Sequence, residues 1–211
     1  MVPGIEEHLH SFRSAVLVID MQNDFCHGDG AFGRAGQDLS PLQRVAAPLG
    51  KFVDEARNLG VWPVHVRSYM DERLLLPPAV ARNRQLGRER GICLQGSWGA
   101  EFYQILPAKG DNVVTKHSYS GFIDTDLKET LTGRGIRSVF VTGVLTNVCC
   151  ESTLRHAFML GFFPFLVEDC CASVDGTAHA ATVDNVRRYF GWVCKSEEAL
   201  QWWGQGRSSW A

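Results

Sequence analysis

Ser138-Val-Phe-Val-Thr-Gly-Val-Leu-Thr-Asn-Val-Cys-Cys-Glu-Ser-Thr-Leu-Arg-His-Ala157 runs from an apolar stretch through a glycine turn into a segment of helical period. The stretch from Ser138 to Thr142 reads as a buried parallel strand. Past Gly143 and a turn through Leu145 and Thr146, Val148, Leu154, Ala157, Phe158 and Leu160 recur at helical spacing. A helix therefore begins close to Cys149. A thiol at a helix start meets free backbone N–H groups and the positive end of the helix dipole, and both favour the nucleophilic thiolate. The other reading is a small buried hydrophobe that only packs there.

The same alternation runs outward in both directions. Ala15-Val-Leu-Val-Ile19 is a short strand ending at Asp20, and Val61-Trp-Pro-Val-His-Val66 is another. Leu42, Val45, Leu49, Phe52, Val53, Ala56 and Leu59 make one helical face, closed by Gly60. A strand from Val113 to Lys116, a helix capped by Asp124 or Thr125, a strand near residue 163, a helix over about 178–190 and a short strand at Trp192 complete the pattern. Apolar strands alternating with helices predict an α/β fold, a doubly wound three-layer parallel sheet with helices on both faces. One domain over 1–211 is expected, with residues 68–100 as an irregular lid, since this charged stretch with Pro77-Pro78 shows no clear period.

At 211 residues and 45% hydrophobic, the chain can bury a full core. A formal charge of −2 and the lack of a basic run argue against a nucleic-acid partner. Neither a secretory start nor an apolar run of membrane-span length is visible, so no membrane association and a cytoplasmic location are expected. The seven cysteines (26, 93, 149, 150, 170, 171, 194) fit no disulfide framework or zinc spacing, and free thiols are expected, with Cys170 and Cys171 packing at a strand end.

In open parallel sheets ligands bind beyond the carboxyl ends of the strands. Asp20 ends the first strand, Lys116 the third, and Cys149 follows the fourth. Each alone has an ordinary reading, as a turn carboxylate, a surface lysine or a packed thiol. Along one sheet edge they supply a base, a cation and a nucleophile. Asp20 can take the thiol proton and return it to a leaving amine. Lys116 can hold Asp20 ionised and favour thiolate, and the N–H groups of Leu145 and Cys149 can hold an oxyanion. No cofactor is called for.

Four stretches carry a resemblance: Val18-Ile-Asp-Met-Gln-Asn-Asp-Phe25, Val114-Thr-Lys116 with Ser120-Gly-Phe122, Thr142-Gly-Val-Leu-Thr-Asn-Val-Cys149 with Ser152-Thr-Leu-Arg155, and Leu166-Val-Glu-Asp169. With these the chain resembles the isochorismatase-like cysteine hydrolases over nearly its whole length. The resemblance implies a catalytic triad of Asp20, Lys116 and Cys149, with Cys149 rather than Cys150 at the nucleophile position. It also implies a cis peptide between Val144 and Leu145, and a homo-oligomer (dimer or tetramer). Within the family, His65-Val-Arg-Ser-Tyr-Met-Asp71 lacks the metal-ligand set of nicotinamidases, so no metal is expected and His65 reads as a packing or hydrogen-bonding residue. Cys149 argues against the isochorismatase reaction itself. Gly96-Ser-Trp98, Tyr119-Ser-Gly-Phe122, Asn147-Val-Cys-Cys-Glu-Ser-Thr153 and Phe190-Gly-Trp-Val193 are similar to ureidoacrylate amidohydrolases. His65-Val-Arg67 is closer to biuret hydrolases and N-carbamoylsarcosine amidases. The resemblance thus implies a small-molecule substrate with a ureido or carbamoyl C–N bond. Hydrolysis of another small primary amide is the alternative, and a non-catalytic binding protein is disfavoured because idle buried charges cost stability.

Phe25, Trp98, Tyr119 and Phe122 are candidate walls for a flat ureido group, and Thr146 is a further candidate contact. Arg67 can pair with a substrate carboxylate or form a salt bridge to Asp71 or Glu72. Asn23 and Asp24 are expected to brace the loop after Asp20 rather than touch substrate. His117 stands beside a lysine already placed for proton chemistry. The tail from Trp202 to Trp210 is expected to expose aromatics that pack on a neighbouring subunit.

Overall fold

The computed structural model describes residue 5 and residues 8–86 and 91–206. Along the chain come β1 Ser14–Ile19, α1 Asn23–Cys26, α2 Ala31–Arg34, α3 Ser40–Asn58, β2 Trp62–Ser68, α4 Pro77–Gln85, β3 Asn112–Lys116, α5 Leu127–Gly133, β4 Ser138–Val144, α6 Glu151–Met159, β5 Phe163–Ala172, α7 Gly176–Asn185, β6 Trp192–Cys194 and α8 Ser196–Gly206. The six strands form one parallel sheet in the order β3-β2-β1-β4-β5-β6. This is the expected α/β doubly wound arrangement.

Strand residues alternate between two apolar cores, one on each face. Val16, Val18, Phe140 and Phe165 meet Leu42, Leu49 and Phe52 of α3. On the other face Leu17, Ile19, Val64, Val66, Val139 and Val141 meet Leu127 and Leu131 of α5 and Leu154 and Ala157 of α6. Both faces being covered explains why the central strands are apolar throughout rather than alternating. The chain winds outward from β1 to β3, then returns to place β4 on the other side of β1. Loops leaving β1 and β4 therefore diverge at the sheet's carboxyl edge, the place where open parallel sheets bind ligands.

Two expectations change. The 68–100 stretch is not wholly irregular: Ser68 is the last residue of β2, and α4 forms with Pro77 and Pro78 in its first turn. Proline is compatible with the first helical turn, where its missing N–H would have had no partner. The aromatic tail is the second correction. α8 folds back so that Trp203 is fully buried, 4.6 Å from Phe140 and 5.7 Å from Phe52 between ring centres. Trp202 packs on Phe165. These tryptophans complete the chain's own core and do not await a neighbouring subunit; Trp210 lies outside the described residues. Among the described residues no helix is long and apolar enough to cross a membrane.

Candidate active site

Asp20, Lys116 and Cys149 meet at the carboxyl edge of the sheet. Lys116 Nζ donates to Asp20 Oδ2 at 2.9 Å and lies 3.4 Å from Cys149 Sγ. Lys116 is fully buried, Asp20 is 1% exposed and Cys149 6% exposed. Topology brings them together. Asp20 is the first residue past β1, in the left-handed region at φ +53°, with its N–H bonded to the Val66 carbonyl of the neighbouring strand. Lys116 ends β3, paired in register with Ser68 at the end of β2.

Cys149 sits in a wide turn, Thr146–Cys150, that leads into α6. The Leu145 carbonyl accepts N–H bonds from both Val148 and Cys150, and the second of these closes the turn with one residue more than an α-turn. The Val144–Leu145 peptide is cis. Leu145 immediately precedes the turn and Cys149 lies within it, so both amides belong to the start of a helical segment.

Electrostatics modify the expectation of a resting thiolate. Burial pushes the Cys149 thiol well above its ordinary value, the Asp20 carboxylate pushes it further, and Lys116 opposes them only in part. Desolvation and the neighbouring Asp20 therefore oppose the thiolate that a helix start favours. For Lys116, burial alone would depress the ammonium, but the adjacent Asp20 reverses this and holds it charged. An ammonium thus stands between a carboxyl group and a sulfur whose charged form burial opposes.

Residues 14–198 match the isochorismatase domain. The chain belongs to the isochorismatase family. A ureidoacrylate amidohydrolase, RutB of Variovorax paradoxus (strain S110), is 36% identical over 210 residues, spanning 92% of this chain and 82% of that relative. An N-carbamoylsarcosine amidase from Thermoplasma acidophilum is 28% identical, with a TM-score of 0.70 over 88% of this chain and 97% of that structure. A cysteine hydrolase from Pseudomonas syringae pv. phaseolicola 1448A shares the fold with a TM-score of 0.83 at 23% identity, over 93% and 95% of the two chains.

In this isochorismatase-family chain the loop after Asp20 is tied to the last part of the 68–100 stretch. Asn23 donates through Nδ2 to the Trp98 carbonyl and through its backbone to no nearer partner than Glu101, whose carbonyl accepts at 3.0 Å. Asp24 accepts from the N–H groups of Ala31 and Cys93. Both act as braces. They hold Trp98, 46% exposed and edge-on to His27, at the surface beside the loop. Tyr119 is 53% exposed, just past Lys116. Phe25 and Phe122 are less available as walls. Phe25 is buried edge-on to Phe32, and Phe122 stacks on Phe162. Thr146 is buried and its hydroxyl bonds His179 Nδ1.

Arg67 forms neither of the salt bridges considered. It donates to Thr115 Oγ1 at 3.0 Å and stacks on Tyr69, while Asp71 pairs with Arg73 and Glu72 with Arg84. As the residue between Val66 and Ser68, it faces the opposite side of the sheet from them. His65 is a buried partner of Asp111, and His117 Nδ1 meets the Tyr69 carbonyl. Among the described residues no three or more His, Cys, Asp or Glu side chains gather as a metal-ligand group.

Ser68 is the member of this cluster that the sequence reading passed over. Its hydroxyl donates to Asp20 Oδ1 at 2.8 Å and lies 2.6 Å from Lys116 Nζ. The available signal was the period-2 face Val64, Val66, Ser68, which continues the buried stripe to the strand end. It was missed because a serine opening a charged, proline-containing stretch reads as loop.

Proposed function

We propose that this chain is an amidohydrolase that cleaves the C–N bond of a ureido or carbamoyl group on a small molecule, with Cys149 as nucleophile, Asp20 as proton carrier and Lys116 as charge partner. The observation that carries the reading is the single buried ammonium of Lys116, 2.9 Å from the Asp20 carboxylate and 3.4 Å from the Cys149 sulfur. Relatives named for ureidoacrylate and N-carbamoylsarcosine supply the substrate class.

The chemistry starts from a protonated thiol beside the Asp20 carboxyl group. As Sγ attacks the carbonyl carbon, the thiol proton passes to Asp20, and Lys116 balances the charge left on the site. The amides of Leu145 and Cys149 stabilise the oxyanion, a contribution of about 3–4 kcal/mol for one such donor in other acyl-transfer enzymes. Collapse breaks the C–N bond. The departing nitrogen takes the proton from Asp20 and leaves as ammonia, and a thiocarbamate remains on Cys149. Water, giving a proton to Asp20, attacks this carbonyl, and the C–S bond breaks with return of the proton to sulfur. The released carbamate decomposes to an amine and carbon dioxide. No step calls for a metal, because Lys116 supplies the cation and the amides the electrophilic contacts, so EDTA is expected to leave the rate unchanged.

Ammonia release measured over biuret, N-carbamoyl amino acids, ureidoacrylate and nicotinamide tests the reading. Turnover of a ureido or carbamoyl compound that disappears in Cys149→Ala is expected. Preference for nicotinamide would move the substrate class to ordinary primary amides.

A further inference from the structure

Lys116 has three N–H bonds to give and four acceptors around it: Ser68 Oγ at 2.6 Å, Asp20 Oδ2 at 2.9 Å, the Ser118 carbonyl at 3.1 Å and Cys149 Sγ at 3.4 Å. Four acceptors share three protons, so Ser68 Oγ and Cys149 Sγ draw on the same ammonium. Ser68 Oγ in turn gives its only proton to Asp20 Oδ1, so both carboxylate oxygens are engaged, one by a hydroxyl and one by the ammonium. Ser68 is itself pinned. The Gln22 side chain accepts from the Ser68 N–H at 2.7 Å through Oε1 and donates to the Ser68 carbonyl at 3.0 Å through Nε2. The same Nε2 donates to the Ala100 carbonyl at 2.8 Å, which links the strand end to the far end of the 68–100 stretch. Gln22 and Ser68 are both fully buried.

From this accounting we infer that Ser68 is a positioning residue for the reaction: its hydroxyl competes with Cys149 for the Lys116 ammonium and orients the Asp20 carboxylate toward the thiol proton. It keeps the lysine bound to oxygen at rest, so that the proton stays on sulfur until a carbonyl arrives, and it keeps Asp20 from rotating out of reach. The inference rests on the proposed roles of Asp20, Lys116 and Cys149 and goes beyond them.

The signature is a pair of effects of opposite sign. In Ser68→Ala one Lys116 N–H is released to the sulfur, so alkylation of Cys149 by iodoacetamide at neutral pH should speed up several-fold. Turnover should fall instead, with kcat about 10–100-fold lower and KM nearly unchanged, the range expected when an acid–base group loses its orientation. Ser68→Thr keeps the hydroxyl and should restore both readouts. A site that was merely loosened would lose turnover without gaining thiol reactivity, and threonine would not rescue it; that result, or a Ser68→Ala enzyme with wild-type kcat and alkylation rate, overturns the inference. If the alanine variant folds poorly, Ser68→Thr and Ser68→Cys carry the same comparison of alkylation against kcat. Failure of the triad reading is separately visible in the wild type, where alkylation of Cys149 would then leave activity intact.

Discussion

Gly143 lies so close to Ile19 that a β-carbon placed on it would stand 2.0 Å from the Ile19 carbonyl oxygen and 2.7 Å from its nitrogen. The two residues are register partners where β1 and β4 end. Asp20 follows one and the turn to Cys149 follows the other, so this approach sets how near the side chains of Asp20 and Cys149 can come. Gly143 also holds φ +105°, where an L side chain is strained. Gly143→Ala is expected to cost about 1–3 kcal/mol in backbone strain alone, and relief of the clash must part the strands. The urea midpoint should fall, and activity should drop more than stability does when measured where the variant is still folded. Wild-type turnover in a folded Gly143→Ala protein would show that the spacing of these strand ends is not critical.

The two adjacent thiols should behave differently. Cys149 faces Lys116, whereas Cys150 points to the Thr142 carbonyl in the core on that side of the sheet. Cys149→Ala should remove turnover by more than about a thousand-fold, as loss of a nucleophile does. Cys150→Ala should keep turnover and lose about 1 kcal/mol of stability through the small cavity it leaves. Ammonia assays on both variants, with unfolding curves for each, decide the assignment, and the reverse pattern would place the nucleophile at Cys150.

Buried thiols give the fold an alkaline weakness. Burial is the first cause of the upward shift at Cys26, Cys93, Cys149, Cys150, Cys170 and Cys194, with Cys26 pushed to about 12. In the unfolded chain the same groups ionise near 8.5. A folded-state pKa raised above the unfolded one contributes stability below the unfolded value, and that stability is lost as pH rises toward the folded value. Each thiol therefore withdraws up to about 1.4 kcal/mol per pH unit above 8.5. Under reducing conditions the denaturation midpoint should be nearly level from pH 7 to 8 and fall steeply by pH 10. A midpoint unchanged across that range would mean the thiols are not held neutral in the folded protein.

Sequence made the sheet and its edge readable because the signals there are local and strong. Apolar strands ending at Asp20 and Lys116, and the glycine turn before Cys149, each declare themselves within a few residues. What escaped depends on contacts between distant segments. Ser68 matters because β2 pairs with β3 in a register that sets it beside Lys116, and Gln22 matters because it reaches both Ser68 and Ala100. Trp203 reads as exposed in a polar tail, and only the path of α8 across Phe140 and Phe52 buries it. The electrostatic balance at Cys149 is hidden for the same reason. The helix start is visible in the chain, but the depth of burial and the Asp20 charge are properties of the assembled site.

Asp24 ties the lid to the triad loop, and the tie should be measurable in substrate affinity. Its two carboxylate oxygens accept from Ala31 N at 2.9 Å and Cys93 N at 2.7 Å. Gly99 passes so close that a β-carbon there would lie 2.3 Å from this carboxylate. Asp24→Asn keeps the size but turns an amide N–H₂ toward one of those donors, breaking one charge-assisted bond and leaving a backbone N–H unsatisfied, a loss of about 1–3 kcal/mol. Asp20 and Lys116 make no contact with Asp24 in this network, so chemistry on bound substrate should continue. Trp98, carried on the segment that Asp24 and Asn23 hold, should lose its fixed position. KM is expected to rise about five- to tenfold, corresponding to about 1 kcal/mol of binding, with kcat changed less than about threefold. A variant whose kcat falls while KM stays constant would place Asp24 in the reaction itself rather than in the frame that presents Trp98.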